Sequence, residues 1–412
     1  MRSSLCGLAL LSLQALGTIA TPWRVYPAEW RHEENRASVD GQLSRLSHQA
    51  QAKTMHELRH GNHGGHDGTG CDHKKLEVRR EWGDVSKKER RSYIDAVLCL
   101  QSKPALTPAS EAPGAKTRFD DFVATHINQS LAIHYTGNFL SWHRYFTWLY
   151  EQALRDECGY EGTQPYWDWA KTARTGMHNS PILDGSSTSM SGDGAFVPNR
   201  GDVVLGGFGL PEILLPAGPG DGCVTSGPFV DMTVNLGPAQ LTAPGNTTII
   251  NAEGVLTYNP RCLKRSLTDE INRAFANASA ILDLLTTPDN VYDFQMQMQG
   301  VPGSGNIGVH GGGHYAMGGD PGRDVFVSPG DPLFYLHHSN IDRTWWMWQM
   351  QDMATRAQGE TSVAGTNTFL NQPPSANTTV EDYVQYGYAA DPPRQIKELL
   401  KTTGGPFCYT YA

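Results

Sequence analysis

SPGDPLFYLHHSNIDRTWWMWQ, residues 328–349, decides the fold of this chain. Its aliphatic and aromatic residues surround the adjacent pair His337 and His338, a composition that suits a core helix buried on nearly every side. Consecutive residues on a helix point about 100° apart, so only one of the pair can join a given site. His338 is read as a metal ligand. Asp342 lies one turn further along on the same face, where a carboxylate can orient an imidazole by hydrogen bonding.

Working outward, His310 and His314 stand at i, i+4. That spacing puts two imidazoles on one helical face, about 5–6 Å apart at Cβ, which suits two ligands on one metal. Gly311, Gly312 and Gly313 between them weaken an isolated helix, so something is expected to approach closely on that side. His338 completes this triad from another helix. A second triad, His126, His134 and His143, precedes it, and His143 opens another aromatic run, HRYFTWLYEQAL. One such histidine alone is more often a satisfied core residue or a surface group. Six of them, with matching aromatic helices, point to a dinuclear metal centre.

Imidazole ligation without thiolate or carboxylate suits copper, zinc, iron or nickel. Three imidazoles with an open position is also the catalytic zinc pattern. No acid stands beside the histidines as a bridge, which favours a copper pair acting on O2 over a dizinc hydrolase.

The chain has 412 residues, 39% of them hydrophobic, enough for a sizeable core. The two triads must meet, so residues 71–412 are expected to form a single catalytic domain. A net charge of -9 argues against a nucleic-acid partner. Arg2 followed by CGLALLSLQALGTIA predicts a secretory signal over residues 1–20. No run long enough to span a membrane follows it.

Removing the signal removes Cys6 and leaves Cys71, Cys99, Cys158, Cys223, Cys262 and Cys408. An even count in an oxidising compartment implies up to three disulfides, and 15 pairings remain open by count. The preferred scheme is Cys71 with Cys408, Cys99 with Cys158, and Cys223 with Cys262. Its first bridge would tie the domain ends together, and its third would close a long loop. Sequons at Asn128, Asn246, Asn277 and Asn377 fit secretion.

Residues 21–70 are polar and read as a flexible or processed leader. Ser86 and Glu89 make a capping box for a helix over 87–100. Further helices are expected over 119–130, 141–157, 268–286, 307–316 and 331–356. Residues 175–265 read as long loops with a short strand near 247–257.

Three segments, FLSWHRY at Phe139–Tyr145, PYWDW at Pro165–Trp169 and the opening stretch, closely resemble the tyrosinase and catechol oxidase family of type 3 copper proteins. Its compact secreted fungal polyphenol oxidases look nearest, since the chain stops shortly after Cys408. The resemblance implies a mainly α fold: a four-helix bundle core holding two copper ions, with long disulfide-pinned loops and few short strands. It makes His126, His134 and His143 ligands of the first copper, and His310, His314 and His338 ligands of the second. It implies O2 as co-substrate and small phenols as partners, with o-diphenols oxidised to o-quinones and o-aminophenols as further candidates. A tyrosinase that also hydroxylates monophenols is the alternative, and a hemocyanin-like O2 carrier a more distant one.

Where tyrosinases often carry Asn after the first ligand of the second site, this chain has Gly311. Their upstream Glu aligns with Gln299 in FQMQMQG. That Glu–Asn pair is thought to order a water that helps deprotonate phenol, so its absence disfavours monophenol hydroxylation. Val325 falls where plant members carry a bulky gate, and Tyr315 is expected to line the entrance. No cysteine lies near His134 to form the thioether of many relatives.

Overall fold

The computed structural model describes residues 36–60, 71–207, 210–245 and 247–412. The expected signal at 1–20, much of the expected leader and the sequon at Asn246 lie outside the described residues.

The fold is mainly helical. In chain order the α-helices are α1 Arg36–His60, α2 Lys87–Ser102, α3 Arg118–Ile133, α4 Phe139–Cys158, α5 Trp169–Thr175, α6 Asp269–Phe275, α7 Ala278–Thr286, α8 Val291–Gln299, α9 Gly308–Met317, α10 Leu333–Gln349 and α11 Met353–Arg356. Five of the six histidines lie on α3, α4, α9 and α10, and His134 follows the end of α3. The expected capping box is present: Ser86 Oγ accepts from Glu89 N, and Glu89 returns to Ser86 N. Thr117 and Asp120 make a second one at the start of α3. The helix expected over 268–286 is two helices. Asn277 breaks it, because its side chain accepts from Ala280 N as the cap of α7 while donating to Arg273 O. The helix expected over 331–356 likewise ends at Gln349 and resumes at Met353.

The expectation of a flexible leader needs correcting over residues 36–60. Residues 36–60 form a helix packed on the body, with Val39, Ala50 and Leu58 buried. Val39, Leu43, Leu46, Ala50, Thr54 and Leu58 form a stripe at three- and four-residue steps, a periodicity present in the sequence but diluted by its polar neighbours. Lys53 Nζ donates to Met350 O at 2.8 Å, and Trp346 Nε1 donates to Thr54 Oγ1 at 3.2 Å.

Among the described residues, short strands form two-stranded ribbons only. Glu77–Arg79 pairs in parallel with Tyr409–Tyr411 beside the Cys71–Cys408 disulfide, which joins the two ends of the domain. Cys99–Cys158 ties α2 to α4, and Cys223–Cys262 pins the loop region. Thr247–Ile249 is the strand expected near 247–257, paired with Leu241–Ala243. Within those loops Arg265 reaches Asp331 with two hydrogen bonds, at 2.6 and 2.8 Å, both side chains fully buried. Asp331 also accepts from Leu333 N, so this pair fixes the start of α10 against the loops.

Candidate dinuclear metal centre

The six histidines converge as two adjoining triangles. In the first, ring centroids lie 5.1 Å (His126–His134), 5.7 Å (His126–His143) and 5.1 Å (His134–His143) apart. In the second they lie 4.7 Å (His310–His314), 5.2 Å (His310–His338) and 5.5 Å (His314–His338) apart. His143 stacks on His338 at 4.6 Å, so the triangles touch. All six are buried.

Backbone carbonyls aim the rings. His126 Nδ1 lies 2.8 Å from Phe326 O, His134 Nδ1 2.8 Å from Ser130 O, His143 Nδ1 2.8 Å from Phe139 O, and His314 Nδ1 3.1 Å from Gly322 O. A proton held at Nδ1 leaves the Nε2 lone pair free. Nε2 of His126, His143 and His310 has no partner, and Nε2 of His338 and His314 face each other at 3.4 Å. Bare, converging, buried lone pairs fit a metal ion in each triangle. Burial lowers the imidazole pKa values, His134 and His314 to about 4, so the rings are neutral at neutral pH as metal ligation requires.

The three glycines of α9 now have a reason. A Cβ on Gly312 would lie 2.8 Å from Cβ of Phe275 on α6, and one on Gly313 would lie 2.2 Å from the His337 ring. His337 thus enters the second cluster: its donor atoms and those of His310, His314 and His338 all lie within 4.8 Å of one another. The ring of His337 lies in the groove that the glycines open, packed beside the three histidines of the second triad.

Asp342 also departs from expectation. It touches no imidazole. Its Oδ1 accepts from Arg144 Nε at 2.5 Å, and its Oδ2 accepts from the hydroxyls of Tyr409 and Tyr411, both at 2.6 Å. Arg144 follows His143, so Asp342 joins α4 to α10 and to the C-terminal strand rather than orienting a ligand ring. Gln299 is buried too, with both ends of its amide occupied. Its Oε1 accepts from Tyr135 N at 2.8 Å, and its Nε2 donates to Gln295 O at 3.2 Å. Tyr135 follows His134 and has φ +51°, so Gln299 clamps the strained loop carrying that ligand.

Val325 is 37% exposed and precedes Phe326, whose carbonyl holds His126. Gly311 and Tyr315 flank the α9 histidines, and Tyr315 Oη sits 3.4 Å from Thr242 Oγ1. Of the sequons, Asn128 and Asn377 are exposed, whereas Asn277 serves as a helix cap.

Several residues with a part here carry little signal in the sequence. Phe334 lies among both triads, stacked on His338 at 4.0 Å and 5.4 Å from His126. Phe139 covers the other side, 5.0 Å from His143 and 5.2 Å from His310. Asp324 accepts from the backbone of Ala239, Gln240 and Phe326, which fixes the loop that presents Phe326 O.

Comparison with known proteins fits this geometry. Residues 116–351 match the common central domain of tyrosinase. The chain belongs to the tyrosinase family. It is 40% identical to tyrosinase P of Aspergillus terreus over 342 residues, 83% of this chain and 93% of that protein. It is 38% identical to N-acetyl-6-hydroxytryptophan oxidase ivoB of Emericella nidulans over 350 residues, 83% of this chain and 93% of that one. A solved mutant of the polyphenol oxidase of Thermothelomyces thermophila is 44% identical, with a TM-score of 0.81, covering 90% of this chain and 98% of that chain. The chain is thus a tyrosinase-family oxidoreductase of the polyphenol oxidase type, and that family's centre is a copper pair.

Proposed function

We propose that this chain is a secreted two-copper oxidase that converts o-diphenols to o-quinones, with O2 as the electron acceptor. Each pair of diphenols oxidised sends four electrons and four protons to one O2, giving two waters. One observation carries the reading: two touching triads of buried histidines whose Nε2 lone pairs converge. Copper, when bound, supplies the electron relay between phenol and O2.

The chain's own residues do the rest. His126, His134, His143 and His310, His314, His338 are the ligands, held neutral by burial. Phe139 and Phe334 cover the rings with apolar surface and exclude water from them. Val325 is small enough to leave a flat phenol ring a path to the centre. Gly311 and Tyr315 line the approach. Among these residues no side chain stands ready to take a phenol proton: Gln299 is a neutral amide, not a base, and both of its ends are already engaged. A catechol loses its proton more easily than a monophenol, whose unperturbed pKa lies near that of tyrosine, about 10. Secretion is supported by three disulfides among the six cysteines that follow the N-terminal segment.

The test is initial O2 uptake by copper-loaded protein on a catechol and on its matching monophenol. General-base help typically contributes about 10²–10⁴-fold. Catechol oxidation should therefore exceed monophenol hydroxylation by at least about 10²-fold, the lower end of that range. Equal rates would replace this reading with a tyrosinase of both activities. O2 binding without turnover of either phenol would make the chain a carrier.

A further inference from the structure

One short loop, residues 320–326, touches both triads. Its Gly322 carbonyl lies 3.1 Å from His314 Nδ1 in the second triad, and its Phe326 carbonyl lies 2.8 Å from His126 Nδ1 in the first. The other carbonyls that aim ligand rings, Ser130 O and Phe139 O, serve the first triad alone. A shift of this loop therefore turns one ring in each triangle at the same time.

The loop is tied down along its length. Asp320 accepts from Arg261 Nε and Nη2 at 2.6 and 2.8 Å. Arg323 donates to Thr242 O at 2.7 Å and to Asp221 Oδ1 at 2.8 Å. Gly322 lets the chain pass close to the end of α9, since a Cβ there would fall 2.5 Å from Gly318 O. Midway between the two aiming carbonyls stands Asp324, fully buried. Its Oδ1 accepts from Phe326 N at 3.0 Å, and its Oδ2 accepts from Ala239 N and Gln240 N at 2.8 and 3.0 Å. Its own N–H donates to Pro321 O at 2.8 Å. One carboxylate thus closes the loop on itself and bolts it to the neighbouring segment, without touching any imidazole.

We propose that Asp324 is a positioning residue for both metal sites: through the 320–326 loop it sets His126 and His314 relative to each other, and with them the spacing of the two ions. This rests on the two-metal reading above. Groups that orient a ligating imidazole from behind govern how well it holds its ion. Here those groups are backbone carbonyls, which no side-chain substitution removes, so the aspartate that fixes their loop is the place where both sites can be loosened at once.

The decisive experiment reads each site separately in the full-length chain. His338→Ala leaves only the first triad complete, and His143→Ala leaves only the second. Asp324→Ala and Asp324→Asn are placed in both backgrounds, and copper affinity is measured by competition with a coloured chelator. Asp193→Ala is the control, because Asp193 also accepts from two backbone N–H groups, Gly194 at 2.8 Å and Leu267 at 3.0 Å, in a segment that bonds no ligand ring. Asp324→Ala should weaken copper binding about 10–100-fold in both backgrounds, the scale on which groups behind metal ligands act. Asp324→Asn keeps one acceptor oxygen and should lose less in each. Asp193→Ala should lower the melting temperature and leave both affinities unchanged. Circular dichroism of each metal-free protein checks the fold, and Asp324→Asn decides the question if Asp324→Ala does not fold. A loss confined to one triad would overturn the shared role. A loss in neither, or an equal loss in the control, would make Asp324 a plain anchor of the fold. Failure of wild type itself to take up two ions would instead overturn the two-metal reading and this inference with it.

Discussion

The two triads are built by different means. In the first, each of the three rings is tied through Nδ1 to a backbone carbonyl, two of them one helical turn away: His134 to Ser130 and His143 to Phe139. In the second, only His314 has such a bond. His310 and His338 are held by ring contacts, with Phe334, Phe139 and His337 packed around them. The first site is therefore fixed by hydrogen bonds that survive if a neighbouring side chain changes. The second is fixed by packing and depends on volumes being right, which is why its helix carries glycines where the first carries bulky residues.

What keeps the triads in register is the bond between their helices. Arg144 on α4 and Asp342 on α10 are both fully buried, and Arg79 approaches the same carboxylate at 3.5 Å. Arg144 also donates to Leu400 O at 2.5 Å and to Gln349 Oε1 at 3.0 Å, which draws the C-terminal segment into the joint. Asp342→Ala should have the largest effect on the comparison. It leaves two guanidinium groups and two tyrosine hydroxyls facing an empty space in a dry interior. Removing one partner of a buried pair typically costs about 3–5 kcal/mol. Denaturant unfolding should show a loss of that size. A loss under about 1 kcal/mol, the scale of an exposed pair, would mean that the joint is not what aligns the helices.

Much of this centre is legible in the sequence, for a physical reason. Helical spacing fixes which face a residue occupies, so His310 with His314 reads directly, and the glycines between them announce a close contact. Spacing cannot say what comes to meet that face. Asp342 lies on the turn after His338, yet its partners arrive from Tyr409 and Tyr411 on a strand 67 and 69 residues away. His337 was unreadable for the same cause, since only the placement of α9 shows that the groove over Gly313 admits a ring. The helix α1 is the opposite case. Its stripe is present in the sequence, but polar residues on its other faces mask it, and only the body it packs on gives the stripe a use.

Acid sharpens the comparison in the metal-free protein. His134 in the first triad and His314 in the second both have folded pKa values lowered to about 4, mainly by burial. An unfolded chain protonates histidine below about 6.5. Between about 6.5 and 4 the unfolded state therefore binds protons that the folded state refuses, so stability is full above that window and falls as pH drops through it. Each imidazole contributes a slope of up to about 1.4 kcal/mol per pH unit. Thermal unfolding of apo-protein at pH 7, 6, 5 and 4 should show this decline. Replacing His134 or His314 with Phe should each flatten it by one imidazole's share. A flat profile in wild type would mean that the rings are solvated or already protonated in the fold.

The smallest expected effect concerns the loop of the first triad. Gln299 accepts from Tyr135 N and donates to Gln295 O, and it thereby holds the residue after His134 at positive φ. In Gln299→Glu one carboxylate oxygen can still accept from Tyr135, but the other meets the Gln295 carbonyl, acceptor against acceptor. Losing a buried hydrogen bond in this way costs about 1–3 kcal/mol. Gly311→Asn brings a Cβ within 3.0 Å of Ile307 Cβ, a contact Ile307 must yield to. If Gln299 were free to order a water, the double variant would gain monophenol hydroxylation relative to catechol oxidation by about 10²-fold or more, as restored general-base help predicts. Because the side chain is engaged in holding the ligand loop, the ratio should instead move by less than about 10-fold, below the usual range of such help. Gln299→Glu alone should lower the melting temperature and leave that ratio where it was. A large rise in monophenol rate without loss of stability would show that residue 299 can turn toward the metals, and the first triad's frame would then be looser than its three carbonyl bonds imply.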